Sequence, residues 1–252
     1  MKVRWMVLLG AAGLLPACGG GSGSSTPAAS STPAAALPQG SAPVTLDPAT
    51  FTTEIDNPYW PLTPGSRWVF RETDREGNVQ RVVVTVTHDT KEIIGITAVV
   101  VHDQVTEGGQ LVEDTHDWYA QDSAGNVWYL GEATTEYEHG KPKTTEGSWQ
   151  AGVDGAQPGV IMPAHPEVGQ TYREEYLKGQ AEDQAGVLTT TERASVPFGE
   201  YQDVVVTRNF TPLEPKLVEH KFYASGVGQV LAVTVSGSGD REELVSYRSG
   251  AS

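Results

Sequence analysis

The sequence predicts an all-β fold: a long antiparallel meander that curls into a half-barrel, a barrel or two packed sheets, with at most one short helix. The main observation is a series of β-branched and aromatic runs of strand length, separated by turn residues. The second is that no window shows a sustained helical stripe of apolar residues. A meander of this length has to close or fold back on itself to bury its apolar face.

Six segments have the composition of strands: residues 67–71, 81–87, 96–101, 126–130, 204–207 and 230–235. Between the fourth and fifth of these segments, residues 153–166 are rich in Gly, Pro and Ala, which predicts a long crossover loop between two groups of strands. Residues 174–186 fit either a short helix or an irregular hairpin.

Two turns share one motif. In residues 74–79 and 122–127 an Asp opens a type I turn, and Gly77 or Gly125 follows three residues later, where a positive φ is needed. Further hairpin turns are predicted at residues 107–110, 139–141 and 237–240. Short hairpins place consecutive strands side by side and antiparallel, which is the basis for predicting a meander.

The N-terminus has the pattern of a bacterial lipoprotein signal. Lys2 and Arg4 precede an apolar stretch, residues 5–15, that is too short to remain as a membrane-spanning helix. Leu15-Pro16-Ala17-Cys18 then resembles the lipobox, in which the cysteine receives acyl chains such as palmitate and becomes the first mature residue. The alternative is an ordinary secretory signal beside an incidental cysteine, but a lone exposed thiol in an exported protein needs another explanation.

Three regions follow: a signal peptide at 1–17, the lipidated Cys18 with a disordered Gly/Ser/Pro/Ala tether at 18–43, and a single β domain at 44–252. We therefore expect an extracytoplasmic protein of the cell envelope, held at a membrane by its lipid. The residue after Cys18 is Gly19, whereas an aspartate at this position retains lipoproteins at the inner membrane of many diderm bacteria. In a diderm host the expected location is the outer membrane.

The chain is acidic, and this limits its partners. Without Lys2 and Arg4 of the signal, 15 Lys and Arg oppose 32 Asp and Glu. Phosphate backbones repel such a protein, so nucleic acid is excluded as a partner class. The expected partners are the membrane, reached through the lipid anchor, and a hydrophobic small molecule or an envelope protein. We expect a monomer.

The sequence contains no recognised catalytic signature. It lacks a Gly-x-Ser-x-Gly elbow, a His-Glu-x-x-His motif and a phosphate-binding loop, so no catalytic residue is assigned. The favoured interpretation is a binding or envelope-maintenance protein that uses the concave face of its sheet. A metal-binding or metal-dependent protein is the alternative, and an enzyme of another kind is the third class.

One cluster could hold a metal ion. If residues 107–110 form a three-residue loop centred on Gly109, His102 lies opposite His116 on one face of a hairpin, and Asp114 lies two residues along from His116. Two imidazoles and a carboxylate suit zinc or another borderline divalent cation, and no other kind of cofactor is expected. The alternative is a pair of partly exposed strand histidines with ordinary hydrogen bonds.

Two further candidates are weaker. Met162 and His165 lie in one loop and could bind copper, or they could plug the core and cap a turn. Trp118-Tyr119 and Trp128-Tyr129 flank a hairpin, so one aromatic residue of each pair faces away from the core. Trp118 and Trp128 are the candidate ligand contacts on such a face, and ordinary packing explains them equally well.

Most of the chain after Phe51 resembles exported bacterial lipoproteins of uncharacterised function. The segments that carry the resemblance are residues 59–70, 116–132, 196–204 and 222–230, with Ser225 and Gln229 departing from the usual proline and hydrophobic residue. The resemblance implies a curved antiparallel sheet, distantly similar to the half-barrels of periplasmic lipoprotein carriers. It implies no chemistry.

Overall fold

The computed structural model describes residues 37–236 and 239–250, and it confirms an all-β fold. The strands are β1 Phe51–Thr52, β2 Arg67–Thr73, β3 Val79–Ile93, β4 Ile96–Glu107, β5 Gln110–Asp122, β6 Val127–Glu138, β7 Lys141–Thr144, β8 Trp149–Gln150, β9 Gln157–Met162, β10 Thr171–Arg173, β11 Glu175–Tyr176, β12 Gln184–Val196, β13 Gly199–Phe210, β14 Val218–Ala224, β15 Gly228–Ser236 and β16 Arg241–Arg248. The helical structure in the described residues is one 3-10 turn, Pro48–Thr50. None of the described residues belongs to a helix with the length and hydropathy of a membrane span.

The strands form one antiparallel sheet that closes almost completely into a barrel. Its order is β10-β12-β13-β14-β15-β16-β2-β3-β4-β5-β6-β9-β11, so two meanders, β2 to β6 and β12 to β16, join where β16 pairs with β2. The two edge strands, β10 and β11, are separated in the chain only by Glu174. The edges therefore meet at one seam, and the inner face of the sheet encloses a lumen.

The repeated Asp-Gly turns are confirmed. In the first, Oδ1 of Asp74 accepts hydrogen bonds from the backbone of Glu76 and Asn78, and Gly77 has a φ of 87°. In the second, Oδ1 of Asp122 accepts from Ala124 and Asn126 in the same way, and Gly125 has a φ of 92°. The Asp side chain substitutes for missing backbone partners, and glycine allows the left-handed residue that closes each hairpin.

One segment differs from the prediction, and a second takes one of its two predicted forms, the irregular hairpin. Residues 153–166 contain a strand, β9, which pairs with β6, because Val160, Ile161 and Met162 supply a buried apolar run despite the surrounding Gly and Pro. Residues 174–186 contain no helix: an antiparallel bridge between Leu177 and Ala181 makes a tight hairpin there. In β9, strand pairing and burial override the local composition.

The seam is held by Arg173, which is 1% exposed. Its guanidinium donates to the carbonyl oxygens of Gly40 and Ala42, at 2.7 and 2.8 Å, and to that of Pro158 in β9 at 2.7 Å. Residues 38–42, which the sequence assigns to the tether, thus bond to the barrel through their backbone carbonyl groups. The predicted signal peptide and most of the predicted tether, with Cys18, lie outside the described residues.

Candidate functional site

The hairpin of β4 and β5 places His102 directly opposite His116, as predicted. The route to this register differs from the prediction. The loop is a two-residue turn, Gly108-Gly109, with φ values of 56° and 82°, the signature of a type I′ turn. A β-bulge then leaves Val112 without a partner in β4 and shifts the register by one residue. The bulge compensates for the shorter loop.

His102, Asp114 and His116 form a compact cluster on the outer face of the barrel, the outer His/Asp cluster. Nε2 of His102 lies 3.0 Å from Oδ2 of Asp114, and Nδ1 of His116 lies 3.6 Å from Oδ1. The imidazole rings stack with centroids 4.4 Å apart. One ligand atom from each residue falls within 4.8 Å of the others, and no other group of three His, Asp or Glu in the described residues meets this condition.

Asp114 is the centre of this cluster. Its Oδ2 also accepts a hydrogen bond from Nε2 of Gln104 at 2.9 Å. Partial burial opposes ionisation of Asp114, but the hydrogen bonds from His102 and Gln104 outweigh it and hold the pKa of Asp114 below its ordinary value. The carboxylate is therefore charged at neutral pH. The side chains of His102, Asp114 and His116 are 28%, 21% and 45% exposed, so an ion in solution can reach them.

Trp118 and Trp128 lie on the outer face, opposite in direction to Tyr119 and Tyr129, but other groups cover them. Nζ of Lys91 sits 3.2 Å above the ring of Trp118. The ring of Phe51 packs edge-on against Trp128 at 6.2 Å. Each tryptophan is less than a tenth exposed, so a ligand reaches either one only after its covering residue moves.

Met162 and His165 do not form a shared site. Met162 is fully buried in β9, whereas His165 is exposed in the loop that follows. Burial of the thioether in the core leaves the histidine without its partner for copper.

The lumen contains an apolar cavity that sequence reasoning did not identify. Its closed volume is small, about 30 Å³, and about 380 Å³ of space lies among its lining residues when the open mouth and the adjoining solvent are counted. Its lining is largely aromatic and aliphatic: Trp60, Pro61, Leu62, Trp68, Phe70, Val84, Val101, Tyr119, Gly228 and Gln229. Trp60 packs against Tyr119 on one side and Tyr223 on the other, with centroids 5.8 and 5.9 Å apart. These contacts give the cavity a rigid aromatic wall.

Carboxyl groups border this cavity, and together they form the lumen acid cluster: Glu72, Asp103, Glu113, Asp117, Glu132 and Glu242. Asp103 pairs in register with the cavity residue Val84, and Asp117 with the cavity residue Val101. On neighbouring strands, Glu132 of β6 lies opposite Asp117, and Glu242 of β16 lies opposite Glu72 of β2. The phenol of Tyr129 donates to Oδ1 of Asp117 at 2.6 Å. The inner face therefore changes from apolar to acidic within one pleat.

Two of the lumen acids, Asp103 and Glu242, have raised pKa values. Burial raises the pKa of Asp103 to about 8, and the charges of Asp117, Glu113 and Glu72 add to the effect. Burial, followed by repulsion from Glu72 and Asp103, raises the pKa of Glu242 well above its usual range.

A second acidic group lies nearer the seam. Burial raises the pKa of Glu174 to about 7, although Lys221 opposes this shift. Nδ2 of Asn209 donates to both carboxyl oxygens of Glu174, at 2.9 and 3.0 Å, and Nζ of Lys221 lies 3.7 Å from Oε2 of Glu219. The buried Lys221 of this group also interacts with Glu242 of the lumen acid cluster. Burial lowers the pKa of Lys221, but the charges of Glu219 and, less strongly, Glu242 raise it above its ordinary value.

A signal for the inward acids is present in the sequence. Along β4, inward and outward residues alternate, and the inward ones are Val99, Val101, Asp103 and Val105. A carboxylate therefore occupies a position where the pattern of the strand predicts an apolar side chain. Asp117 occupies the same kind of position in β5, before Tyr119. Because the chain contains so many acidic residues, Asp103 and Asp117 are not recognisable as unusual without this alternation.

Comparison with known proteins yields structural neighbours at low similarity. No protein-family model matches the chain, and no curated protein matches it. A solved structure of a Bacteroides fragilis protein, described as exported with a YmcC-like fold, is 16% identical and has a TM-score of 0.44. The match covers 76% of this chain and 99% of that one.

The second neighbour is a protein of Parabacteroides distasonis that is described as a lipoprotein. It is 12% identical, with a TM-score of 0.42, and the match covers 75% of this chain and 98% of that one. Similarity at this level leaves the function to be argued from the residues of this chain.

Proposed function

We propose that this chain is a lipid-anchored, extracytoplasmic binding protein whose ligand occupies the lumen of the barrel. The observation that carries the proposal is the cavity between Trp60, Trp68, Phe70 and Tyr119, an apolar recess bordered by polar groups. Recesses of this kind, with a few convergent polar side chains, are typical of small-molecule sites. The anchor proposal rests on the signal pattern that ends at Cys18.

The lumen site is tested by titrating the full-length lipoprotein, in a non-ionic detergent, with the neutral probe 4-phenylbutan-1-ol. We expect saturable binding at one probe per chain that changes the fluorescence of Trp60 and Trp68. Val101→Phe fills the cavity and should abolish the change. Val235→Phe is the matched control, because Val235 is 50% exposed on β15.

Partition of the probe into micelles is the same for all three proteins and cancels in the comparison. If Val101→Phe binds the probe as the wild type does, the ligand site is not in the lumen. If none of the proteins shows saturable binding, the proposed function is wrong.

The anchor is tested by Cys18→Ser. The acyl chains supply the membrane affinity of a lipoprotein, so the variant should accumulate as an unprocessed or soluble species with the wild-type circular dichroism spectrum. Detergent phase separation of cell fractions provides the measurement. A mature Cys18→Ser protein that still partitions into the detergent phase would contradict lipidation at this residue.

The outer His/Asp cluster supports a second candidate function, binding of a divalent cation such as Zn²⁺. Three ligand atoms lie within 4.8 Å, and Gln104 fixes the orientation of the carboxylate. A bound ion would replace the hydrogen bond between His102 and Asp114, and water would complete a tetrahedral shell. A neighbouring group that orients a metal-binding carboxylate is typical of such centres.

For this function we expect His102→Ala and His116→Ala each to abolish zinc binding, with the double variant no worse than either single variant. Asp114→Ala should weaken binding without removing it. The measurement is isothermal titration calorimetry with ZnCl₂ on untagged protein, and His88→Ala, an exposed histidine on β3, is the control. Retention of wild-type affinity by both single histidine variants would exclude the site.

A further inference from the structure

Two buried hydrogen-bond acceptors beside the lumen cavity lack donors. Oδ1 of Asp103 and Oε1 of Gln229 make no hydrogen bond in the described structure, although the residues are only 7% and 4% exposed. The amide nitrogen of Gln229 is already used, because it donates to Glu242 at 2.9 Å. Unpaired buried acceptors are costly, so this part of the lumen favours a ligand that brings hydrogen-bond donors.

One acceptor belongs to the cavity lining, and the other lies on the same inner face of the sheet beyond it. Gln229 lines the cavity, and Asp103 lies on the inward face of β4, two residues from Val101 and in register with Val84. Two residues along a strand span about 7 Å. Asp103 therefore lies about 7 Å along β4 from Val101, which belongs to the apolar wall of the cavity.

The balance of basic side chains and carboxyl groups in the surrounding wall indicates which type of donor the ligand brings. Among the described residues, the buried basic side chains are Arg173 and Lys221. Arg173 donates to three carbonyl oxygens at the seam, and Lys221 lies beside Glu219. The lumen acid cluster around Asp103 thus has an excess of carboxyl groups. A cation beside these groups favours their ionised form and pairs with it, so a cationic donor is favoured there over a neutral one.

The arrangement does not fit a single metal ion. The outer His/Asp cluster is the group of three ionisable ligands that converges within 4.8 Å in the described residues, and the lumen acids are spread around the wall. An ion held by the lumen would have at most a few distant ligands, whereas Ca²⁺ and Mg²⁺ require six or more oxygen atoms close by.

We propose that the lumen binds an organic ammonium compound with an apolar body, whose charged end meets Asp103 and Gln229 and whose body fills the aromatic cavity. An ammonium group brings three donors and a positive charge, and it replaces the missing partners of both acceptors. This inference rests on the proposed binding function, since it names the ligand class of the same lumen.

The test compares three probes that differ at one end: 4-phenylbutylamine, 4-phenylbutan-1-ol and 4-phenylbutanoate. A chain of four carbon atoms, which all three probes contain, is long enough to link the cavity to Asp103. We expect the amine to bind the full-length lipoprotein about tenfold or more tightly than the alcohol, as a charge-assisted hydrogen bond allows, and the carboxylate to bind most weakly. Calorimetric titration in one detergent buffer provides the affinities.

Asp103→Asn should remove most of the preference for the amine and leave the affinity for the alcohol unchanged. Gln229→Met, which removes the second acceptor at similar size, should reduce the same preference and serves if the first variant does not fold. Asp89→Asn is the control, because Asp89 is an exposed carboxylate on β3. It should behave as the wild type.

The outcomes separate the two proposals. If the alcohol binds and Val101→Phe blocks it, but the amine gains nothing or keeps its advantage in both Asp103→Asn and Gln229→Met, the ammonium inference is overturned and the binding function stands. If no probe binds saturably, the binding function itself fails. Binding of the carboxylate in preference to the amine would also overturn the inference.

Discussion

Replacing Gly159 by alanine is expected to prevent normal closure of the barrel. A Cβ at this position in β9 would collide with the carbonyl group of Glu174 and would lie 2.5 Å from the carbonyl oxygen of Arg173. All of these atoms belong to backbone, which cannot turn aside as a side chain can. The seam would have to open, and the hydrogen bond from Arg173 to Pro158 would be lost with it.

We expect a loss of about 3 kcal/mol or more in the free energy of unfolding, and a fall in melting temperature of about 10 °C. Thermal unfolding followed by circular dichroism provides the measurement. Gly186→Ala is the control, since the added carbon in β12 would meet a methyl group of Thr171 at 3.4 Å and the carbonyl oxygen of Gln170 at 3.9 Å, both ordinary contacts. That variant should be neutral or slightly stabilised. Equal melting temperatures for the two variants would mean that the seam is looser than described.

Local turn chemistry made much of the fold predictable. The Asp-Gly turns depend on residues within one short segment, so their geometry can be deduced from Asp74 and Gly77, or from Asp122 and Gly125, alone. The seam could not be found in this way. It depends on Arg173 reaching residues 37–43 and β9, which are distant in the chain, and the composition of both segments suggested loops.

The opposition of His102 and His116 was predicted correctly through an incorrect loop. The turn at Gly108 and Gly109 is one residue shorter than expected, and the bulge at Val112 restores the register. Nothing about Val112 itself signals a bulge, because it is an ordinary β-branched residue in a strand. Register beyond a turn therefore remains the least predictable feature of such hairpins, even where the turn residues are clear.

The free energy of unfolding is expected to depend on pH through Glu242. This residue faces the lumen, whereas its neighbour Glu243 faces outward. Burial, with repulsion from Glu72, Asp103 and Glu219, raises the pKa of Glu242. The folded protein then holds a proton on Glu242 more tightly than the unfolded chain does. Its contribution is present below the ordinary glutamate pKa of about 4.3 and is lost as the pH rises through the folded value.

Glu242→Gln should therefore increase stability near pH 8 and flatten its decline between pH 5 and 8. A gain of about 1 to 3 kcal/mol is expected, the usual cost of a poorly satisfied buried polar group. Gln229 retains a partner, since the new amide oxygen can accept its hydrogen bond. Urea unfolding at a series of pH values provides the measurement.

Glu243→Gln is the matched control with the opposite sign. Arg71 and Arg241 each lie 2.9 Å from its carboxylate, and although burial opposes ionisation, their hydrogen bonds and charges hold the pKa of Glu243 below its ordinary value. That contribution is present above the ordinary pKa and is lost as the pH falls through the folded value, so the variant should lose stability at neutral pH. If Glu242→Gln is destabilised at pH 8 as Glu243→Gln is, the carboxylate of Glu242 is charged and compensated in the fold, and the lumen is less acidic in character than its residues indicate.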